Sequence, residues 1–258
     1  MGTDFVDVTE IAGDRVSREQ VERLCHRYYW AGEYCRDRNV LEVACGTGQG
    51  LGYLQSLSHS LSAGDYSQRI VDMAQAHYGD RIRVQRFDAQ NMPYANDSFD
   101  VVIIFEALYY IPDASRFIFE CARVLRPSGK LLIATANKDL FDFNPSPHSF
   151  QYYGVVELAQ SLAEADFKCR FFGYVPVDKL SWRQKLLRPI KKMVVDSGLM
   201  PKTMAGKKLL KRIVFGSLID MPAEIRGSMF PYESPAEIPE NLPDTRHKVI
   251  YCEASRPD

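Results

Sequence analysis

Val40-Leu41-Glu42-Val43-Ala44 is an apolar run that passes without a break into Cys45-Gly46-Thr47-Gly48-Gln49-Gly50. This junction constrains the fold more than any other stretch. A buried strand that leaves on a glycine-rich turn brings bare backbone up to a ligand, because a side chain there would block the approach. The helix predicted next, to about residue 58, points its first free N–H groups at the same place. Dinucleotide sites use Gly-x-Gly-x-x-Gly. Here the third glycine would fall on Leu51, and the spacing is Gly46-x-Gly48-x-Gly50. That spacing tells against a nicotinamide enzyme.

The rest of the chain keeps alternating between short apolar runs and helical spacing. Ser17-Arg18-Glu19-Gln20 reads as a capping box, and Val21, Leu24, Cys25, Tyr28 and Tyr29 predict a helix over about 17–36. Strands are expected at 60–63 and 82–87, with a helix capped by Ser67 between them. Phe99 to Phe105 is continuously apolar, as expected of a central strand buried on both faces. Asp113 can cap a helix ending at Leu125, and Pro127-Ser128-Gly129 turns into a strand over 130–136. A helix over 155–165, a strand over 168–174 and a last strand over 247–254 complete the pattern. Strands alternating with helices imply an α/β fold with a mainly parallel sheet. The first sixteen residues show no periodicity, and no strand is predicted from about 178 to 245. The expected division is an N-terminal helical cap (1–37), a central domain (38–177 with 246–258), and an inserted substrate or lid segment (178–245). An insertion of roughly 70 residues in a compact domain points to function rather than an idle loop.

Two acids sharpen the reading of the glycine turn. Asp65 closes the second strand, 17 residues after Gly48. A carboxylate at that strand end can accept both hydroxyls of a ribose. The third strand ends in Phe87-Asp88-Ala89, where Asp88 can accept from an exocyclic amine and the Ala89 N–H can donate to a ring nitrogen. Each acid alone could be a turn former with a solvated side chain. Together, behind this turn, they describe a nucleoside-like ligand lying across the carboxyl edge of the sheet.

VLEVACGTGQG, GDYS, FDAQNMPY, DSFDVVIIFEALYYI and RVLRPSGKLLI, in that order, resemble the successive motifs of class I S-adenosylmethionine-dependent methyltransferases. They are most similar to the small-molecule enzymes of the UbiE/COQ5 kind, over about residues 38–175. The resemblance implies a Rossmann-like sheet of order 3-2-1-4-5-7-6, its last strand antiparallel, with a helical insertion before that strand. It implies S-adenosylmethionine as cofactor and S-adenosylhomocysteine as product. Gly46 and Gly48 would hold the methionine side, Asp65 the ribose, and Tyr66, Asp88 and Ala89 the adenine, with Ala44 also among the cofactor-binding residues. Phe105 and Glu106 would line the methionine portion, and Glu42 is the motif's opening acid. A leading helix often covers the cofactor in this family, which makes Tyr28 a candidate to close the site; core packing is its alternative.

Methyl transfer from a sulfonium needs mainly alignment, and a base only where the acceptor carries a proton of high pKa. Candidates follow the fourth and fifth strands. Glu106 and His148 are the candidate catalytic groups, an imidazole having a suitable unperturbed pKa near 6.5. Bonding to loop backbone is the alternative for His148. Tyr110 and Tyr152 are candidate substrate contacts, although amphipathic rings serve ordinary packing equally well. Oxygen is the preferred acceptor atom. No Asp/Asp-Asn cluster is in place for a catechol-type metal site, so no metal is expected.

From Arg183 to Arg212 there are ten basic residues and one acid, Asp196. Three readings stand: a solvated helix face, a cationic lid over an anionic substrate such as a nucleotide-linked sugar, or a membrane-surface contact reaching a lipid or quinone-type substrate. With 32 Lys+Arg against 33 Asp+Glu, the chain lacks the basic excess of a nucleic-acid-binding protein. The Asn/Asp-Pro-Pro-Tyr type motif of base-amine methyltransferases is also absent, since that position reads Phe105-Glu106-Ala107-Leu108. A non-catalytic S-adenosylmethionine-binding protein is the alternative from a different class. The six cysteines form no CxxC pair, the N-terminal MGTDFVDVTE has no apolar core, and no apolar run approaches the roughly 18–20 residues of a membrane span. A soluble cytoplasmic protein with reduced thiols is expected.

Overall fold

The structure is a computed structural model and describes residues 5–146, 148–177 and 218–258. Its elements in chain order are β1 (Arg15–Ser17), α1 (Arg18–Cys35), β2 (Asn39–Val43), α2 (Leu51–Leu57), β3 (Ser60–Asp65), α3 (Gln68–Tyr78), β4 (Val84–Arg86) and β5 (Phe99–Phe105). Then follow α4 (Ala114–Val124), β6 (Leu125–Ala136), α5 (Val155–Ala163), β7 (Lys168–Pro176), β8 (Leu218–Asp220), β9 (Ala236–Ile238) and β10 (His247–Ser255). Short 3-10 turns cover Phe5–Val8 and Leu108–Tyr110. None of the described helices is long and apolar enough to cross a membrane.

Local chemistry sets the helix starts. Ser17 Oγ accepts from the Gln20 N–H at 3.2 Å and Gln20 Oε1 accepts from the Ser17 N–H at 3.0 Å, which closes the capping box of α1. Ser67 caps α3, and Asp113 caps α4 by accepting from the Arg116 N–H at 2.9 Å.

The main sheet runs β4-β3-β2-β5-β6-β10-β7-β9. Its first five strands are parallel, and β10 lies antiparallel between β6 and β7. This is the expected 3-2-1-4-5-7-6 order with β9 added at the edge. Alternate residues of β5 feed two separate cores. Val102 and Ile104 pack with Phe117, Ile118 and Leu158, on the side of α4 and α5. Val101, Ile103 and Phe105 pack with Leu24, Trp30 and Tyr251, under α1. Both faces of the central strand are therefore dry, which is why its sequence shows no alternation.

Four elements depart from the sequence expectation. β6 begins at Leu125, and the Pro127-Ser128-Gly129 turn lies inside it as an irregularity: Phe99 pairs with Leu125, then Val101 pairs with Lys130. β8 pairs with β1, and β9 pairs with β7. Each of the three short strands β1, β8 and β9 has three residues, too few to display a period; tertiary pairing creates them. The helices expected at 181–196 and 202–216 and the basic run 183–212 lie outside the described residues.

The chain returning from the insertion docks beside the glycine turn. Ile225 N–H donates to the Gln49 carbonyl at 2.8 Å, and Tyr29 Oη donates to the Arg226 carbonyl at 2.6 Å. Helix α1 sits against the same turn so closely that a Cβ on Gly50 would overlap the Tyr28 ring. Gly50→Ala must displace a buried aromatic ring. It should lower unfolding free energy by about 1–3 kcal/mol in urea titrations; an unchanged midpoint would show that α1 does not press on the turn.

Candidate active site

Neighbouring strands β2 and β5 are parallel, and the sheet grows outward from them in opposite directions. At such a reversal the chains leaving the two strands diverge, and a crevice opens at their carboxyl ends. Ala44 follows β2 at φ 53° and Glu106 follows β5 at φ 52°. Left-handed backbone costs a non-glycine residue about 1–2 kcal/mol. Gly46 at φ 60° and Gly48 at φ 85° carry the rest of the turn without that cost.

Carboxylates surround this turn. Asp65 Oδ2 accepts from the Gly46 N–H at 3.1 Å and Oδ1 from the Ser67 N–H at 3.0 Å. Burial raises its pKa, and those N–H donors oppose the rise. Asp88 holds Gln90 through the backbone N–H at 2.9 Å and the side-chain amide at 3.0 Å. Glu42 is 1% exposed, and Tyr28 Oη donates to its Oε1 at 2.5 Å. Glu42 Oε2 has no hydrogen-bond partner among the described residues.

These groups line a cavity of about 570 Å³, within the usual size of a small-molecule site. Of the residues singled out in the sequence, Glu42, Ala44, Gly46, Asp65, Tyr66, Asp88, Ala89, Phe105, Glu106, Tyr28 and Tyr110 lie on its wall. Gly48 is buried beneath the turn, where Tyr78 Oη donates to its carbonyl at 2.5 Å. Tyr152 is likewise off the wall. Its ring stacks on Tyr109 at 4.2 Å and its oxygen accepts from the Ser146 N–H at 3.0 Å, so it supports the wall from behind. His148 is exposed, at φ 66°, and does not line the cavity. Tyr110 Oη and Ser146 Oγ hydrogen-bond at 2.5 Å, which ties the loop after β6 to the wall.

Sequence reasoning missed the contributors that come from far along the chain. The Phe5 ring meets Tyr66 in a T-shaped arrangement with centroids 6.4 Å apart, and its centroid lies 5.5 Å from that of the Tyr110 ring. The Glu10 carbonyl accepts from Thr47 Oγ1 at 3.1 Å and Gln49 Nε2 at 2.7 Å, which fastens the N-terminal segment over the turn. Arg23, Lys248 and Val249 complete one end. Only Arg23 had a local signal: it lies one helical turn before Arg27, beside Tyr28.

Residues 41–133 match a family model described as a methyltransferase domain. That stretch, about a third of the chain, is similar to methyltransferase domains, and the sheet and flanking helices have the Rossmann-like fold of solved methyltransferase structures. A protein of Mycobacterium tuberculosis named "Probable S-adenosylmethionine-dependent methyltransferase" is 33% identical over 137 residues, 52% of this chain and 50% of that protein. This chain thus spans about half the length of that curated relative. An O-methyltransferase of Penicillium expansum is 28% identical over 215 residues, 80% of this chain and 73% of the other. The crystal structure of the YcgJ protein from Bacillus subtilis shares the fold, with a TM-score of 0.58 at 15% identity, covering 91% of this chain and 99% of that one.

The cofactor of such a methyltransferase domain is S-adenosylmethionine, with S-adenosylhomocysteine as product. The residues present fit it. Glu42 offers an orphaned buried carboxylate oxygen beside the turn, suited to a positively charged ligand. Burial pushes the Glu42 carboxyl up to about 7, against the opposing effects of Tyr28 and Arg27. In the unfolded chain the group ionises near 4.5, so the folded state holds an extra proton between those values. Stability from this group is complete below about pH 4.5 and is lost as pH rises through about 7. The difference amounts to roughly 3 kcal/mol at about 1.4 kcal/mol per pH unit. Urea unfolding of ligand-free protein at pH 5 and pH 8 should show this loss, and Glu42→Gln should flatten the profile. Equal slopes in the two proteins would mean that Glu42 is ionised when folded.

Proposed function

We propose that this protein is an S-adenosylmethionine-dependent methyltransferase of a small-molecule acceptor, of the UbiE/COQ5-like kind, and that it methylates oxygen. The observation that carries this reading is the Glu106 carboxyl, set on the cavity wall at a strained strand end, next to the glycine turn. Burial raises its pKa above the usual carboxylate range, while Arg27, Arg23 and the Tyr109 hydroxyl, 3.2 Å away, oppose the rise. A base poised above its ordinary pKa accepts a hydroxyl proton more readily. That the similar Penicillium expansum protein is named an O-methyltransferase supports the choice of oxygen.

In this reading Ala44, Gly46, Glu42 and Phe105 bind the methionine end, Asp65 the ribose, and Tyr66, Asp88 and Ala89 the adenine. Gly48 shapes the turn from beneath. Tyr28 orients Glu42 through its short hydrogen bond. When bound, the cofactor supplies a methyl group already activated on a sulfonium. The chain's own work is alignment, exclusion of water and removal of the acceptor's proton. Phe5 and Glu10 cover the turn and Tyr110 walls the acceptor side, so residues 1–37 act as a cap. The described part of the insertion, 218–245, contributes the remaining cover, and the dock of Ile225 on Gln49 supports that role. The exposed His148 is not assigned the base.

Calorimetry should detect S-adenosylhomocysteine binding to the ligand-free protein. With hydroxylated acceptors, Glu106→Gln should lower turnover by about 100-fold or more while S-adenosylhomocysteine still binds. The wild-type rate should rise with pH as Glu106 ionises, and the variant should lose that limb. Wild-type turnover by Glu106→Gln would remove Glu106 from the chemistry.

A further inference from the structure

Beyond the glycine turn the cavity continues into a chamber walled by Arg23 and Arg27 of α1, Glu106 after β5, Ala136 at the end of β6, and Lys248-Val249 of β10. β10 runs antiparallel to β6, so its first residues reach the sheet edge where β6 ends. This end lies past β5, away from the strand ends of β3 and β4 that carry Asp65 and Asp88. It is the acceptor's side of the site.

Three cations meet there, and two already have acids. Arg27 faces Glu10 at 3.6 Å, and Lys248 Nζ donates to Glu19 Oε1 at 3.0 Å. Arg23 makes no hydrogen bond or ion pair among the described residues; its charge is felt by Glu106 and Tyr174. Arg27 Nε is also buried without a partner. Two guanidinium groups one helical turn apart repel each other, and a half-buried guanidinium has five donors to satisfy. A planar fork of donors matches the oxygens of a carboxylate or phosphate, which it can bind in pairs.

We propose that Arg23, with Lys248 beside it, binds an oxyanion carried by the methyl acceptor, a carboxylate or a phosphate monoester. The acceptor is thus a small hydroxylated acid. The assignment of its hydroxyl to Glu106 rests on the proposed function above. An ionised Glu106 repels an anion and welcomes a hydroxyl, and Arg23 has the opposite preference, so the pair fixes which end of the acceptor meets the base.

The test is calorimetric titration of the full chain, first saturated with S-adenosylhomocysteine, with 4-hydroxybenzoate, 4-hydroxyphenyl phosphate and the neutral 4-hydroxybenzamide. At least one anion should bind about tenfold or more tightly than the amide, the fold-change corresponding to one charge-assisted hydrogen bond. The better of the two anions tells a carboxylate from a phosphate. Arg23→Gln should erase the discrimination, and Arg23→Lys, which keeps the charge and guards against a folding artefact, should retain part of it. Anions that bind no better than the amide, or not at all, overturn the proposal, as does full discrimination in Arg23→Gln. Failure of the base assignment is distinguishable, because it appears as unchanged turnover in Glu106→Gln with anion selectivity intact. Wild-type protein that takes up no S-adenosylhomocysteine overturns the cofactor reading and this proposal with it.

Discussion

Where β2 and β5 part, Ala44 and Glu106 both hold left-handed backbone, and the site is built on those two turns. The strain is small beside what surrounds it. Each turn costs about 1–2 kcal/mol, while burying a single Val, Leu or Ile side chain contributes about 1.5–3 kcal/mol. Val43 and Ile104, the residues paired at the ends of these strands, are fully or almost fully buried, as are Leu41, Val102 and Ile103 behind them. The central strands therefore cannot relax without opening both cores. The outcome is a pair of adjacent strand ends whose following residues are turned into one crevice, one bringing bare glycine backbone and the other a carboxylate.

Burial of acid is the second theme. Glu42, Asp65 and Glu106 all have pKa values raised by desolvation. A fold selected for stability alone would replace a buried acid with an orphaned oxygen, such as Glu42, by an apolar side chain. Retaining it makes sense for a site that receives positive charge, since a cation restores the ionised form that burial disfavours. Tyr28 is the element that holds Glu42 ready. Its ring packs edge-on against Phe105 at 5.4 Å and fills the space over Gly50, while its hydroxyl meets Glu42. One side chain thus links helix packing to the electrostatics of the cavity.

What could be read from the chain follows from how local each signal is. The glycine turn, Asp65 and Asp88 belong to strand ends whose neighbours in sequence are their neighbours in space. Their placement on the wall follows once the strands are located, and the parallel order follows from the alternation. Gly48 and Tyr152 show the limit of motif reading: both lie within one side chain of the cavity, yet one sits under the turn and the other behind Tyr109. His148 falls in a Pro-rich loop with no period to say which way it faces. Phe5, Glu10, Arg23 and Lys248 reach the site through contacts across distant parts of the chain, and strands of three residues such as β8 and β9 exist only because a partner strand is present. Of these only Arg23, one helical turn before Arg27, leaves a local trace.

Gln49 joins the N-terminal segment and the chain returning from the insertion to the glycine turn. Its side-chain amide holds the Glu10 carbonyl of the N-terminal segment, and its own carbonyl holds the Ile225 N–H of the chain returning from the insertion. Thr47 adds a second bond to Glu10 from two residues earlier on the same turn. Glu224, next to Ile225, is tied in turn to His77, in the last turn of α3, at 2.7 Å and to Arg81, just past its end. The glycine turn is therefore also the anchor point for both segments that lie against it. A shift of its backbone by a few tenths of an ångström is transmitted to Glu10 on one side and Ile225 on the other, because buried hydrogen bonds lose strength steeply with distance and angle. Coupling of this kind needs no separate allosteric element: the residues that shape the floor also hold the walls.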